Sequence, residues 1–258
     1  MGALVSNGEF PDLFVRDNYK KYDNSRFLVP WLFKKDFLLD GLAADEHVRL
    51  LFEGLGYSAN IYLNGQLVAS RDTVKGPFRT YAIDVTGVAK EENQLVVETF
   101  ECQPGDFNIG FVDWNPRPFD ESMGIVRPVK VQRCGKVVIE SPRVCSQVNL
   151  NTLKEAWVKV ETQLRNLSDE TVSGCLVCTF EGEKVDLPVT LSPGQVKTVR
   201  LDDNDLKTLY VRNPRLWWCY TLGRPELYGL SLIFEVDSQA SDTQDVRFGI
   251  RPDRKSVV

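Results

Sequence analysis

Ala59-Asn60-Ile61-Tyr62-Leu63-Asn64-Gly65 alternates apolar and polar side chains over five residues and then stops at Asn-Gly. Alternation at period 2 places Ala59, Ile61 and Leu63 on one face of a strand, and Asn-Gly is the dipeptide that most favours a two-residue hairpin turn. The same rhythm recurs outward from it. Phe27–Phe37, Val48–Phe52, Thr80–Val85, Leu95–Phe100 and Ile125–Val131 read as strands. An irregular stretch holding Pro104, Gly105, Gly110, Pro116 and Pro118 precedes the last of these. A second set comprises Trp157–Leu164, Thr171–Phe180, Val185–Leu191, Val196–Leu201, Leu227–Val236 and Val246–Ile250, with Ser192-Pro193-Gly194 as a turn. Short strands at this spacing, with few stretches of helical period, predict an all-β chain of sandwiches or barrels rather than βαβ units. No Cys...Trp...Cys pattern accompanies the second set. Cys134-Gly135-Lys136 and Ser141-Pro142 interrupt the pattern, and Val137–Ser141 reads as the segment leading out of the first unit. The domains are therefore drawn as 1–138 and 139–251, with a tail at 252–258.

The 258 residues, 43% of them apolar, give room for two cores, and disorder is excluded. A net charge of -5 and a pI near 5.2 argue against a nucleic-acid partner, which would need a clustered Lys/Arg surplus. No apolar stretch approaches the roughly 18–20 residues of a membrane span. The single histidine, His47, leaves no multi-His metal site, so no metal and no cofactor is expected. Met1-Gly2-Ala3-Leu4-Val5 then Ser6 lacks the basic and apolar regions of a secretory signal. The compartment stays open, with a secreted or periplasmic parent compatible. Of six cysteines, Cys175 and Cys178 form a C-x2-C, a spacing shared by zinc half-sites and redox pairs. On a strand, positions i and i+3 point to opposite faces, so the reading favours two separate structural thiols.

Several blocks resemble the amino-terminal half of glycoside hydrolase family 2, in its β-mannosidase and exo-β-glucosaminidase branch. They are Leu50-Leu51-Phe52-Glu53-Gly54-Leu55, Tyr57 to Gly65, Gly76-Pro77-Phe78, Ile83-Asp84-Val85-Thr86 and Glu92 to Val97. Asp113-Trp114-Asn115-Pro116, Met123-Gly124-Ile125 and Arg127 follow. In the second half come Leu216-Trp217-Trp218, Leu222-Gly223, Leu227-Tyr228 and Phe248-Gly249-Ile250-Arg251. The resemblance covers residues 8–251. It implies a jelly-roll, galactose-binding-like domain followed by an immunoglobulin-like β-sandwich. It also implies that the family's leading segment is missing and that a (β/α)8 barrel bearing both catalytic glutamates lies outside this chain, since such a barrel alone needs about 250 residues.

Retaining glycoside hydrolysis needs two carboxylates about 5–5.5 Å apart, one of them an acid with a raised pKa. Nothing in the spacing of the 36 Asp and Glu singles out such a pair, so no catalytic residue is expected. Asp202-Asp203 with Asp205 and Lys207 reads as a solvated loop. In Asp113-Trp114, an aromatic beside a carboxylate suits sugar recognition: the indole stacks on C–H groups while the carboxylate accepts hydroxyl protons. The resemblance implies that Asp113 reaches into the barrel's sugar pocket and that Trp114 shapes its wall. In the competing reading Asp113 caps a turn and Trp114 packs beneath the loop. Trp217-Trp218 with Tyr220 reads as packing rather than as a sugar platform, one indole entering the core and the other facing a neighbouring domain. Arg127 reads as a structural ion-pair partner. Asn166-Leu167-Ser168 matches a glycosylation sequon.

The expected function is thus the non-catalytic amino-terminal portion of a family 2 glycosidase, supporting the absent barrel and lining the pocket for a terminal β-linked mannose, glucosamine or related sugar. The alternative is a stand-alone carbohydrate-binding or interaction module without hydrolase activity.

Overall fold

The computed structural model describes residues 2–13, 15–21, 23–43, 45–107, 118 and 120–252. The chain divides into two compact units, Met1–Arg133 and Cys134–Val258. Both are β-sandwiches, and the all-β expectation holds.

In the first unit, a four-stranded antiparallel sheet orders Trp31–Leu38, Glu92–Phe100, Ser58–Leu63 and Gln66–Ala69. A second sheet orders Tyr81–Asp84, His47–Phe52 and Val129–Cys134. The expected hairpin forms as its chemistry dictates: Asn64 (φ 53°) and Gly65 (φ 81°) both adopt the left-handed conformation that a type I′ turn needs, and Leu63 pairs with Gln66. Asn64 also fastens the turn to its surroundings. Its Nδ2 donates to Val88 O at 2.9 Å, and its Oδ1 accepts from Gln94 N–H at 2.9 Å. Ala59, Ile61 and Leu63 meet Val48, Leu50 and Phe52 from the facing sheet, all at most 1% exposed, and together they make the jelly-roll core.

The second unit is the immunoglobulin-like sandwich. One sheet orders Val137–Val148, Glu155–Asn166 and Val196–Leu201, with Tyr210–Arg212 also pairing Glu155–Asn166. The other orders Glu183–Leu191, Val172–Phe180, Tyr228–Val236 and Gln239–Phe248. Leu176, Phe180, Leu232 and Phe234 pack against Val158, Val160 and Leu164 across the sandwich. Two side chains tie the sheets at one end. The Ser241 hydroxyl accepts from Val137 N–H (2.9 Å) and donates to Val137 O (2.8 Å), while Asp242 Oδ2 accepts from Ile139 N–H (2.8 Å).

Some boundaries differ from the sequence expectation. Val137 and Val138 pair with Asn166 and Arg165, so they belong to the second unit rather than closing the first. The Ser141-Pro142 interruption is a bulge inside one long strand, Val137–Val148, because proline's missing N–H costs little where the register already shifts between Glu140 and Arg143. Ile125–Val131 splits into Gly124–Ile125 and Val129–Cys134 around Pro128. Residues 24–27 form a 3-10 turn capped by Asp23, so the first strand starts at Trp31.

Candidate functional site

Asp113 and Trp114, the site residues chosen from sequence, lie outside the described residues. The described residues on either side of them make the following contacts. On the outgoing side, Gln103 N–H donates to Asp106 Oδ2 at 2.8 Å, Asp106 N–H donates to Gln103 O at 3.0 Å, and Gln103 Nε2 donates to Glu101 Oε1 at 2.9 Å. On the returning side, Ser122 N–H donates to Asp120 Oδ1 at 3.1 Å, and Gly124 and Ile125 pair with Gly56 and Leu55. A Cβ on Gly56 would lie 2.1 Å from Ser122 O, so this approach requires glycine. The buried Tyr57 meets the outgoing leg: burial, followed by the Asp106 charge, raises its phenol pKa. Both legs are therefore anchored on two consecutive residues, Gly56 and Tyr57. Sequence reasoning left Gly54–Tyr57 between two strands, citing Gly54, Leu55 and Tyr57 only for the family resemblance, and missed this anchor. The signal available was Gly at 54 and 56 inside an apolar run, which marks close backbone approach.

Several carboxylates are shifted by their surroundings. The carboxyls of Asp23, Glu46, Glu155, Glu170 and Asp202 are each lowered, chiefly by hydrogen bonds. A general acid for glycoside hydrolysis needs a raised pKa, so these five are not candidates for that role. Asp202 behaves as the loop residue expected, its Oδ1 accepting from Asn204 N–H at 2.8 Å. No group of three or more His, Cys, Asp or Glu among the described residues is placed to hold a metal ion. No helix among them is long and apolar enough to cross a membrane.

The C-x2-C thiols diverge. Cys178 is 0% exposed in the core, and burial pushes its thiol up to about 11, whereas Cys175 lies on the outer face beside Asp186 and Glu235. All six cysteines are free. Trp217 and Trp218 are both half-buried, and neither enters the core. Trp217 lies against Gly249 with the Arg251 guanidinium 5.9 Å from its ring centroid, and Trp218 lies against Gly223. Arg127 is exposed and forms no ion pair with a described residue, contrary to its expected role. The sequon Asn166 is 1% exposed. Its Nδ2 lies within hydrogen-bond distance of the carbonyls of Glu170 (2.6 Å), Ser192 (3.1 Å) and Leu191 (3.2 Å), which makes it a structural buckle.

Residues 1–106 match the family profile described as "Glycosyl hydrolase 2 galactose-binding domain-like", and residues 137–251 match "Glycosyl hydrolases family 2". The chain belongs to glycoside hydrolase family 2. This family 2 chain is 31% identical over 255 residues to an exo-β-D-glucosaminidase of Streptomyces avermitilis, covering 97% of the chain and 28% of that relative. It is 32% identical over 263 residues to the exo-β-D-glucosaminidase of Arthroderma benhamiae, covering 97% and 29%. Its fold superposes on the crystal structure of the exo-chitosanase CsxA of Amycolatopsis orientalis with a TM-score of 0.85 at 28% identity, covering 96% of the chain and 29% of that structure. The chain thus spans less than a third of the length of the curated relatives it matches.

Proposed function

We propose that the chain serves as the non-catalytic amino-terminal portion of an exo-acting β-glycosidase of the exo-β-glucosaminidase type. One observation carries this reading: nearly the whole chain aligns with only 28–29% of two exo-β-glucosaminidases. The rest of such a parent would supply the barrel, with the acid and nucleophile that the family resemblance places there. Asp113 and Trp114 are then pocket residues, carried to a terminal β-linked glucosamine or mannose by a segment whose two legs are pinned at Gly56 and Tyr57. Positioning by a rigid scaffold is what a substrate-orienting carboxylate requires.

Two measurements test the reading together. The chain alone should turn over aryl β-glucosaminide and aryl β-mannoside at the buffer rate. In the chain joined to its barrel, Asp113→Ala should lower kcat/KM by roughly 10- to 100-fold, as expected for a lost charged hydrogen bond to a substrate hydroxyl. Turnover by the chain alone that vanishes on mutating one of its carboxylates overturns the reading. Unchanged kinetics remove Asp113 from the pocket.

A further inference from the structure

The outer face of the second unit carries an arrangement that its core does not require. Ala156 and Val158 point inward and are 0% exposed, so Glu155, Trp157 and Lys159 point outward. The register sets Gln147, Trp157 and Tyr210 side by side across three strands, a row about 10 Å wide at the usual strand spacing. The Trp157 and Tyr210 rings are 5.6 Å apart and tilted by 39°. Tyr210 is locked in place, its hydroxyl donating to Glu155 Oε1 at 2.6 Å while Asn149 Nδ2 donates to Glu155 Oε2 at 2.8 Å. These bonds hold Glu155 below the usual carboxylate range. The Arg212 guanidinium lies 5.7 Å from the Tyr210 centroid.

The network fastens the short strand Tyr210–Arg212, but it makes no use of Trp157. Among the described residues, none accepts a hydrogen bond from the Trp157 indole N–H. Gln147, Lys159 and Arg212 around it are exposed. A half-buried indole on a strand, with an immobilised tyrosine beside it and both donors and acceptors around it, has the makings of a pyranose contact. Ring C–H groups lie on the aromatic face and hydroxyls meet the polar rim. Because Tyr210 and Glu155 are already ordered, little rotamer entropy is lost on binding.

We propose that this face is a carbohydrate-binding platform that takes two or more consecutive pyranoses of a polysaccharide chain, with Trp157 as the stacking ring and Gln147 as a hydroxyl partner. The platform stands on this geometry, while the choice of β-linked glucosamine chains as its ligand rests on the proposed function. The test is calorimetry of the full chain with a β-1,4-glucosamine hexamer, alongside native electrophoresis in gels containing glycol chitosan, hydroxyethylcellulose or galactomannan. The hexamer should bind, and Trp157→Ala should weaken binding at least tenfold at unchanged net charge. Gln147→Ala, at an exposed position outside the core, should weaken it severalfold without altering thermal unfolding, which keeps the test sound should Trp157→Ala fold poorly. Gln239→Ala, at an exposed position on the opposite sheet, should leave binding unchanged and serves as the control for a surface substitution. Retention by cellulose or mannan chains alone, lost in Trp157→Ala, supports the platform and counts against the aminosugar reading. No binding to any of these glycans, or equal binding by wild type and both platform variants, overturns the proposal.

Discussion

Replacing Asn166 by Ala should unfold the second unit at markedly lower denaturant. The side chain has five close polar contacts: its Nδ2 with three carbonyls, and its Oδ1 accepting from Ser168 N–H (3.0 Å) and Ser168 Oγ–H (2.8 Å). Glu170 and Ser192 are exposed, so their carbonyls can turn to water, but Leu191 is 0% exposed and its carbonyl loses a partner it cannot readily replace. One or two buried groups left unsatisfied, at about 1–3 kcal/mol each, plus a small void, give about 2–4 kcal/mol. For a unit of this size that corresponds to a fall in Tm of roughly 10 °C. Asn166→Asp provides a sharper signature. Its carboxylate would face the same three carbonyl oxygens, so its folded pKa rises above the unfolded value near 4. The folded state then holds more protons than the unfolded state, and the variant loses stability as pH climbs from about 4 through that raised pKa. Urea unfolding at pH 3.5, 5 and 7 measures both effects. An Asn166→Ala variant within about 0.5 kcal/mol of wild type, or an Asn166→Asp cost independent of pH, would refute the buckle.

Three other outcomes follow from the structure. Thiol titration of the native chain should label exposed Cys145 and Cys219 quickly and leave Cys178, pushed up to about 11 by burial, unlabelled until unfolding. Glu46, whose carboxyl is lowered chiefly by its hydrogen bonds to Arg133, stabilises the fold above its unfolded pKa of about 4.3 and loses that contribution as pH falls through its lower folded pKa. The Tm gap between wild type and Glu46→Gln should accordingly be widest near pH 6 and close towards pH 3. Gly56→Ala should perturb the amide spectra of Asp120–Ile125 and destabilise the first unit, because Ser122 O must move away from a Cβ 2.1 Å distant; unchanged spectra there would mean that the returning leg is not pinned at Gly56.

The fold was largely legible because β-structure leaves a period-2 imprint wherever one face is buried. Ala59, Ile61 and Leu63 announced their strand, and Asn64-Gly65 its turn. The legible part failed where the pattern depended on partners remote in sequence. Tyr210–Arg212 is three residues long and forms a strand only through its pairing with Glu155–Trp157. Val137–Val148 continues through a Ser-Pro pair because a register shift absorbs the proline, and no local propensity signals that. The sequon match at Asn166 gave no hint of its buried role, because three residues carry no information about the carbonyls of Leu191 and Ser192. The described chain on either side of Asp113 and Trp114 meets Gly56 and Tyr57 through contacts across more than forty positions, a separation that only the folded chain reveals.

The Ser241 and Asp242 tie has a consequence for the chain as a free molecule. Val137–Val148 is the outermost strand of its sheet, and an outermost strand with bare N–H and C=O groups is a template on which another molecule can lay a strand of its own. Here the N–H and C=O of Val137 and the N–H of Ile139 are already occupied by side chains of the opposite sheet, and Pro142, lacking an N–H, breaks the row just beyond. That end of the margin, from Val137 to Pro142, offers no run of open groups on which a second copy could lay a strand. The two residues that join the sheets therefore also cap one end of an edge strand against pairing with a second copy.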